Sequence, residues 1–288
     1  MSIIKIIMTY KIDNLSVLIF TDLDSSFLNK NDFSFGNNLN TTKQLINDGH
    51  SVIFNTSKTF IELKNFFQKE SFNIPFICEN GGGIYAPKKH FNNFNQTKNE
   101  YNIIFESKRI VRKISSIKNE IKKIYGKYLT FFNDLDDEEK EKLSGLSRNE
   151  IKLASEREFT ELIIWQSNIE NLQKLKEYLE SHNLTIIKGG RFHHISNNIN
   201  KGEAMLRLVN EYKKHYSSTN FITIAVGDSD NDLEMLNCAD YPCIVKSSDN
   251  QNFVENIKSS NLFISNRKAP EGWSECIEQV FESIRRQK

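Results

Sequence analysis

The chain has 288 residues, and its 38 lysines and arginines nearly balance its 37 aspartates and glutamates. Such a balance gives no overall field that would draw the protein to nucleic acid or to an anionic membrane, so neither partner is expected. The length suffices for one large domain or two smaller ones. The N-terminal stretch "MSIIKIIM" is too short for a signal-peptide core or a membrane span, which predicts a cytoplasmic protein whether translation starts at Met1 or at Met8.

The cysteines, Cys78, Cys238, Cys243 and Cys276, are scattered along the chain. They form no CxxC pair and have no histidine at the intervals of a zinc site. We therefore expect reduced, mostly buried thiols.

Short apolar runs alternate with amphipathic stretches at both ends of the chain. Each run is apolar throughout and rich in β-branched or aromatic side chains, as are parallel strands buried on both faces. The predicted strands are 17–20, 51–56, 75–79, 221–227 and 241–245. The predicted helices are 38–48, 58–70 (with a capping box at Thr59 and Glu62), 201–215 and 230–237. This alternation predicts an α/β fold with a doubly wound, mostly parallel, Rossmann-like sheet.

The middle of the chain has a different pattern. It predicts a long charged helix over 105–126, an acidic turn over 132–142, a helix over 147–156, a strand over 159–165, a helix over 168–181 and a short strand over 184–189. A mixed α+β segment between two halves of an α/β sheet predicts an inserted cap domain. We place the cap at 87–189 and the core at 1–86 and 190–288.

Two aspartates, Asp22 and Asp24, directly follow the first predicted strand. Side chains two residues apart in an extended segment point the same way, so both carboxylates can face one small volume. Like charges this close repel each other and need a cation or a shared proton. Taken alone, the pair could instead be a strand end with turn-forming acids.

A second acidic cluster, "GDSDNDLEML" at 227–236, also follows a buried strand. Asp228, Asp230 and Asp232 make this loop rich in oxygen ligands for a hard cation such as Mg²⁺, although aspartates here could also cap the following helix. Ligands in such sheets bind beyond the carboxyl ends of the strands, so both acidic loops are expected at one edge. A divalent cation and a bound anion would balance their charge there.

Thr56 and Lys201 are expected at the same edge of the sheet, one after a strand and one at the start of a helix. A hydroxyl, backbone N–H groups and an ammonium together can hold a phosphate. Alternatively, Thr56 caps the helix that follows it and Lys201 is an ordinary surface lysine.

The ordered set Asp22-x-Asp24, Thr56, Lys201 and "GDSDND" resembles the four motifs of the haloacid dehalogenase superfamily of phosphatases, in the subgroup whose cap follows the third core strand. Further segments are similar to those of mannosyl-3-phosphoglycerate phosphatases: "ENGGG" (79–83), "GLSRNEIKLASEREFTE" (145–161), "GGRFHHIS" (189–196) and "PEGW" (270–273). One departure lies at Ser25 and Ser26, where that family usually has Gly and Thr.

The resemblance implies a phosphomonoester hydrolase that uses Mg²⁺ as its cofactor and forms an aspartyl-phosphate. In this scheme Asp22 is the nucleophile and Asp24 the general acid and base. Thr56 and Lys201 bind the phosphoryl group that is transferred. The implied metal ligands are the carboxylates of Asp22, Asp228 and Asp232 and the backbone carbonyl of Asp24.

The resemblance also implies a small phosphorylated sugar as substrate, namely mannosyl-3-phosphoglycerate or its glucosyl analogue. The residues suggested for substrate binding are Ser57, Lys58, Glu79, Asn80, Gly81, Arg157, Glu161 and Arg191. Arg157 and Glu161 could instead form a salt bridge at four-residue spacing. His193 and His194 are adjacent on a predicted strand, so at most one of them can face the ligand, and neither is expected to be catalytic.

Three alternatives remain open. Phosphatases for other sugar phosphates and phosphomutases share these core motifs, and a non-catalytic sugar-phosphate binding protein would accommodate the departure at Ser25. The Cβ of Ser25 is harmless where the backbone φ is negative and strains the chain where φ is positive. Nothing in the sequence indicates the oligomeric state.

Overall fold

The computed structural model describes residues 9–247 and 253–287. The predictions about "MSIIKIIM" and about a start at Met1 or Met8 lie outside the described residues. Within those residues the chain forms a nine-stranded and a four-stranded sheet. No helix in the described ranges is long and apolar enough to cross a membrane.

The larger sheet contains all five predicted parallel strands. With strands numbered in chain order through both sheets, it consists of Leu15–Thr21 (β1), Ser51–Asn55 (β2), Phe76–Cys78 (β3), Gly83–Pro87 (β4), Thr97–Lys98 (β5), Tyr101–Glu106 (β6), Asn220–Gly227 (β11), Tyr241–Ile244 (β12) and Phe263–Ile264 (β13). Their spatial order is β13-β12-β11-β1-β2-β3-β4-β6-β5. From β13 to β3 all neighbours are parallel, whereas β4, β6 and β5 are added antiparallel. The predicted doubly wound, mostly parallel sheet is confirmed.

Helices cover both faces of this sheet. They are Asn38–Asn47 (α1), Phe60–Glu70 (α2), Lys201–His215 (α7), Leu233–Cys238 (α8) and Glu271–Arg286 (α9). Val17 and Ile19 of β1 pack with α1, α2 and α9, while Leu18 and Phe20 pack with α7 and α8. A strand that is apolar at every position therefore has a buried neighbour for each side chain, as its sequence predicts.

The smaller sheet carries its own core. Its strands are Leu129–Phe131 (β7), Thr160–Trp165 (β8), Thr185–Lys188 (β9) and His193–Ser196 (β10), in the antiparallel order β7-β8-β10-β9. The helices of this part are Val111–Tyr125 (α3), Asp137–Ser144 (α4), Arg148–Ser155 (α5) and Ile169–Ser181 (α6). Isoleucines and leucines of α3 and α6 pack on one face of the sheet, which leaves the opposite face for the larger sheet's edge.

The boundaries of the cap, and of two elements within it, differ from the predicted ones. We placed the start of the cap at residue 87, yet β5 and β6 extend the larger sheet to Glu106, because a hairpin adds antiparallel strands without a crossover. We resumed the core at residue 190, yet β10 belongs to the smaller sheet. The helix predicted from residue 105 begins only at Val111, since Phe105 pairs with Ile84. The acidic stretch predicted as a turn contains α4, which Asp136 and Glu139 cap.

Candidate active site

The two acidic loops lie side by side, as the sequence predicts. Asp22 follows β1 and Asp228 follows β11, and these two strands are parallel neighbours with Thr21 opposite Val226. The backbone N–H of Asp22 extends this ladder, since it donates to the Val226 carbonyl at 2.8 Å. The carboxyl ends of adjacent strands therefore deliver both loops to one edge of the sheet.

Three carboxylates converge at this edge. One oxygen from each of Asp22, Asp228 and Asp232 lies within 4.8 Å of the others, and all three residues are buried. Burial raises the pKa of Asp228 well above its ordinary value, and the charges of Asp232 and Asp22 add to the shift. A divalent cation would favour the ionised carboxylates, and all-oxygen donor sets suit hard cations. These residues could therefore hold a metal ion.

Lys201 is paired with two members of this cluster. Its Nζ lies 2.6 Å from Asp22 Oδ1 and 2.6 Å from Asp232 Oδ1, and its side chain is 0% exposed. Burial alone would lower the pKa of Lys201, but the two carboxylates outweigh burial and hold the pKa above its ordinary value. Lys201 is therefore a buried cation, and the interpretation as an ordinary surface lysine is wrong.

The first turn of α7 is fixed by contacts to β2 and to the turn after β3. The Asn55 side chain donates to the Lys201 carbonyl at 2.9 Å. Gly81, with φ +101°, packs so closely that an added Cβ would stand 2.4 Å from the carbonyl oxygen of Asn200, the N-cap of α7. Gly81 thus lets the helix start approach the site, and it does not itself line the cleft described below.

Asp232 belongs to the carboxylate cluster and also caps the acidic loop, which are the two roles that the sequence analysis considered for the aspartates of this loop. Its Oδ2 accepts from the backbone N–H groups of Asp228 (3.0 Å) and Ser229 (3.1 Å), which caps the acidic loop. Its other oxygen binds Lys201. Asn231, beside it, donates to Asn80 Oδ1 at 3.1 Å, so Asn80 contacts a cleft residue without lining the cleft itself.

A cleft of about 210 Å³ opens next to the cluster, between the two sheets. The predicted site residues that line it are Asp22, Asp24, Ser57, Lys58, Arg157, Arg191, Asp228 and Asp230. The predicted site residues that do not line it are Thr56, Glu79, Asn80, Gly81, Glu161, Lys201 and Asp232. About half of the predicted site residues therefore line the cleft, and the others lie outside its lining.

Asp24 faces the cleft beside Lys58. The Lys58 Nζ lies 3.2 Å from Asp24 Oδ2 and 3.7 Å from a carboxylate oxygen of Glu62. Burial would lower the pKa of Lys58, but Asp24 and Glu62 raise it above its ordinary value. The Asp24 carboxylate is partly open to the cleft, with its side chain 36% exposed, unlike that of Asp22 at 9%.

The two serines after Asp24 have different roles. Ser25 has φ +63°, in the left-handed region where a side chain is strained and glycine is preferred. Ser26 is fully buried, and its hydroxyl donates to Asp228 Oδ1 at 3.0 Å. The departure at Ser25 therefore strains the backbone, whereas Ser26 contributes a hydrogen bond to the carboxylate cluster.

Thr56 directly follows β2 and is fully buried. Its hydroxyl accepts from the backbone N–H of Lys58 at 3.3 Å. The N-cap of α2 is Thr59, which forms the predicted capping box with Glu62, so the alternative in which Thr56 caps this helix is wrong.

Glu79 connects the two sheets. Its carboxylate accepts from the backbone N–H groups of Glu158, Phe159 and Thr160 and from the Thr160 hydroxyl, at 2.7 to 3.0 Å. The side chain is 1% exposed and does not line the cleft. Glu79 therefore holds the segment that leads into β8, and its contact with substrate stays a prediction.

Arg157 and Glu161 lie on different sides of the smaller sheet. Arg157 lines the cleft and donates to Thr160 Oγ1 (2.8 Å) and to the Ser57 carbonyl (2.5 Å). Glu161 lies on the same face of β8 as Ile163, which packs under the helices, and it accepts from Asn133. Burial raises the pKa of Glu161. Glu161 does not line the cleft, and its contact with substrate stays a prediction. The carboxylate paired with Arg157 is that of Glu79, at 3.9 Å, rather than that of Glu161.

Arg191 bridges the two parts of the molecule at the mouth of the cleft. It donates to the Lys30 carbonyl at 2.7 Å and to the Ser144 carbonyl, and its guanidinium lies 4.9 Å from the ring centroid of Phe33. Sequence reasoning did not select Lys30, Phe33, Lys188, Phe192 or His194 as site residues, although all line the cleft. The last three lie in or next to the "GGRFHHIS" segment, which was the available signal.

The fold and the site define a hydrolase that acts on phosphate esters. The chain belongs to the haloacid dehalogenase-like hydrolases, whose family model matches residues 19–272, and it is a phosphoric monoester hydrolase. It is similar to the glucosyl-3-phosphoglycerate/mannosyl-3-phosphoglycerate phosphatase of Methanococcoides burtonii, with 33% identity over 264 residues that cover 90% of this chain and 95% of the relative. The enzyme of the same name from Persephonella marina is 30% identical over 274 residues, covering 94% and 99%. Mannosyl-3-phosphoglycerate phosphatase from Pyrococcus furiosus is 28% identical over 246 residues, covering 84% and 96%.

Solved structures share the fold. A phosphatase of the haloalkanoate enzyme superfamily from Bacteroides thetaiotaomicron has a TM-score of 0.66 at 12% identity, covering 94% of this chain and 96% of that chain. A haloacid dehalogenase-like hydrolase from Bacillus subtilis has a TM-score of 0.61 at 17% identity, covering 92% and 98%. The likeness in fold therefore extends over most of the chain in both cases.

Proposed function

We propose that the chain is a Mg²⁺-dependent phosphatase that converts mannosyl-3-phosphoglycerate, or its glucosyl analogue, to the glycosylglycerate through an aspartyl-phosphate. The observation that carries this proposal is the Asp22 carboxylate at the cleft, held by Lys201 beside Asp228 and Asp232. The names of the relatives support the substrate.

Asp22 is the proposed nucleophile. Its carboxylate would attack phosphorus, and the phosphorus–oxygen bond to the glycerate would break, which gives the aspartyl-phosphate. Burial raises the pKa of Asp22, with Lys201 acting in the opposite direction, so the ionised form needs further positive charge. Mg²⁺, held by Asp22, Asp228, Asp232 and the Asp24 carbonyl, would supply that charge and neutralise the phosphoryl oxygens.

Asp24 is the proposed general acid and base. Its carboxylate is partly exposed to the cleft and held by Lys58. In its protonated form it would give a proton to the departing glycerate oxygen, and it would later accept one from the water that attacks the aspartyl-phosphate. The Lys201 ammonium, fixed between two carboxylates, is the proposed partner of the phosphoryl group, with Thr56 supporting the turn that carries Ser57 and Lys58.

Basic side chains in the cleft support a substrate with a second anionic group. Lys58, Arg157, Lys188 and Arg191 all line it, whereas the buried Lys201 does not. A phosphate alone would use the groups around Asp22. The further cations therefore favour a substrate that also carries a carboxylate, as a phosphoglycerate does.

The experiment is phosphate release by purified protein with Mg²⁺ from mannosyl-3-phosphoglycerate, its glucosyl analogue and a panel of hexose phosphates. We expect preference for a glycosyl-3-phosphoglycerate, and Asp22→Asn should abolish release while Asp13→Asn, at a position outside the cleft, should not. Equal hydrolysis of all hexose phosphates would contradict the substrate. With a bisphosphorylated sugar as donor, return of the phosphoryl group to a sugar in place of phosphate release would indicate a phosphomutase, and tight binding with no turnover would indicate a binding protein.

A further inference from the structure

The cleft contains a histidine that the proposed mechanism does not use. His194 lies on β10 directly opposite Leu162 of β8, and both side chains line the cleft. Its neighbour Ile195 packs in the core on the other face of the smaller sheet. Strand alternation thus presents one imidazole to the space above the carboxylate cluster.

This imidazole lacks a partner within the described part of the chain. His194 is 5% exposed, and its buried Nδ1 makes no hydrogen bond there. Most buried polar atoms in proteins are hydrogen-bonded, so an unpaired one beside a cleft indicates a missing ligand group. The ring also requires the glycine at the turn after β9, because a Cβ on Gly189 would stand 2.7 Å from His194 Nε2.

The surroundings of the ring favour its neutral form. Burial lowers the pKa of His194 well below its ordinary value, and the positive charges of Arg157 and Lys201 lower it further. A neutral imidazole offers one N–H donor and one nitrogen acceptor. That pair matches a hydroxyl group, which both donates and accepts, better than it matches an anion. The cleft already has basic side chains for anions.

We propose that His194 contacts the substrate by hydrogen-bonding a hydroxyl group of its glycosyl part, so that it contributes to recognition of the sugar. This inference rests on the proposed function, because it requires a substrate with a sugar attached to the phosphoglycerate. It assigns the uncharged part of the substrate to the cleft face of the smaller sheet and the charged parts to the basic side chains.

The test compares substrates with and without the sugar. For His194→Leu we expect kcat/KM to fall about tenfold or more on the preferred glycosyl-3-phosphoglycerate, since a buried substrate hydroxyl loses its partner. On 3-phosphoglycerate, which lacks the sugar, the change should stay within about twofold. His194→Gln, which keeps a donor and an acceptor, should recover part of the loss. His193→Leu is the matched control, since this neighbour points to the other face, and it should behave like the unaltered protein.

Two outcomes would overturn the inference: an equal loss on both substrates, or no loss on the glycosyl substrate. Should His194→Leu fold poorly, binding of the uncleaved substrate to His194→Ala in an Asp22→Asn background provides the second measurement, and unchanged affinity there would also contradict the inference. If the unaltered protein does not hydrolyse any glycosyl-3-phosphoglycerate, the proposed function fails and the inference fails with it. If it does and His194 variants match it, only the inference fails.

Discussion

The ammonium of Lys201 lies 2.6 Å from the carboxylate of Asp22, with neither side chain more than 9% exposed. Asp232 flanks the same ammonium at the same distance. One buried cation thus pairs with carboxylates from two loops that are far apart in the chain.

Lys201→Met should impair both stability and activity. Removing one partner of a buried ion pair leaves uncompensated charge, so we expect the free energy of unfolding to fall by about 3 to 5 kcal/mol. Phosphate release should fall at least about 100-fold, as for loss of a group that stabilises transition-state charge. Urea unfolding and phosphate-release kinetics measure the two effects. Lys213→Met, at an exposed position in the last turn of the same helix, is the control and should change neither.

Removal of divalent cations should stop phosphate release and lower thermal stability. A ligand that binds only the folded state at 100 times its Kd adds about 2.7 kcal/mol to the free energy of unfolding. In thermal unfolding scans, Mg²⁺ should therefore raise the Tm of chelator-treated protein. Asp228→Asn should need at least about tenfold more Mg²⁺ for the same shift. Asp230→Asn is the control, because Asp230 lies in the same loop but outside the carboxylate cluster. Its Tm should rise with Mg²⁺ as that of the unaltered protein does. A Tm that is insensitive to Mg²⁺ would count against a metal at this cluster.

Ser25→Gly should stabilise the protein. Ser25 has φ +63°, and glycine adopts this conformation without the strain of a Cβ. Because glycine also gains entropy in the unfolded chain, we expect a net increase in the free energy of unfolding of about 0.5 to 1 kcal/mol. Ser26→Gly is the contrasting variant. It removes the buried hydroxyl that donates to Asp228, so it should destabilise the protein. Equal effects of the two variants in urea unfolding would contradict the strain at Ser25.

Glu79→Ala should loosen the junction between the two sheets. Four donors lose their acceptor, and bonds to a charged group contribute about 1.5 to 3 kcal/mol each, although such contributions are not additive. We expect a loss of about 3 kcal/mol or more in unfolding free energy, together with a higher KM, since Arg157 adjoins this segment. Glu79→Gln keeps an acceptor for most of these donors and should lose less. If the Glu79→Ala protein is destabilised but its KM is unchanged, the hydrogen bonds of Glu79 contribute to stability and not to substrate binding.

Acid should destabilise the protein in part through His90. Burial lowers the pKa of His90 from 6.5 to about 4, with His215 adding to the shift, and the ring is paired with the Tyr212 hydroxyl at 2.8 Å. Between these two values the unfolded chain binds a proton that the folded chain does not, so stability falls as pH decreases from 6.5 towards 4. His90→Gln should reduce the difference in unfolding free energy between about pH 7 and about pH 5. An unaltered difference would show that His90 titrates alike in both states.

The core site could be predicted because it depends on strand ends. Buried parallel strands are recognisable as short apolar runs, and the residue after each run must lie at one edge of the sheet, which brings Asp22 and Asp228 together. Lys201 was predictable in position but not in burial. The start of its helix is held by Asn55, which donates to the Lys201 carbonyl, and by the close packing of Gly81 on Asn200, and the sequence pairs neither.

The smaller sheet was harder to predict for identifiable reasons. In "TELIIW" apolar residues occupy both faces, so the pattern does not indicate that Leu162 faces the cleft while Glu161 and Ile163 face the helices. In the sequence analysis, the first part of the core ended before residue 87 rather than at Glu106. The strands β4 and β6 pair with each other and are close in the chain, so their sequence pattern does not distinguish them from the inserted cap. The anchoring role of Glu79 was missed because its partners lie about eighty residues away, in a segment whose backbone N–H groups carry no sequence signal.

The anchor at Glu79 also has a mechanical consequence. The smaller sheet is connected to the larger one by two chain crossings, and the bonds from residues 158–160 to Glu79 add a third, noncovalent attachment between them. In any rotation of one part about the other, displacement grows with distance from the fixed attachment. Arg157 is adjacent to the attachment at Glu79, so it would stay close to Ser57. Arg191 contacts Lys30 and Phe33 instead, and it would move further. Such a rotation would therefore widen the cleft on the side of Arg191.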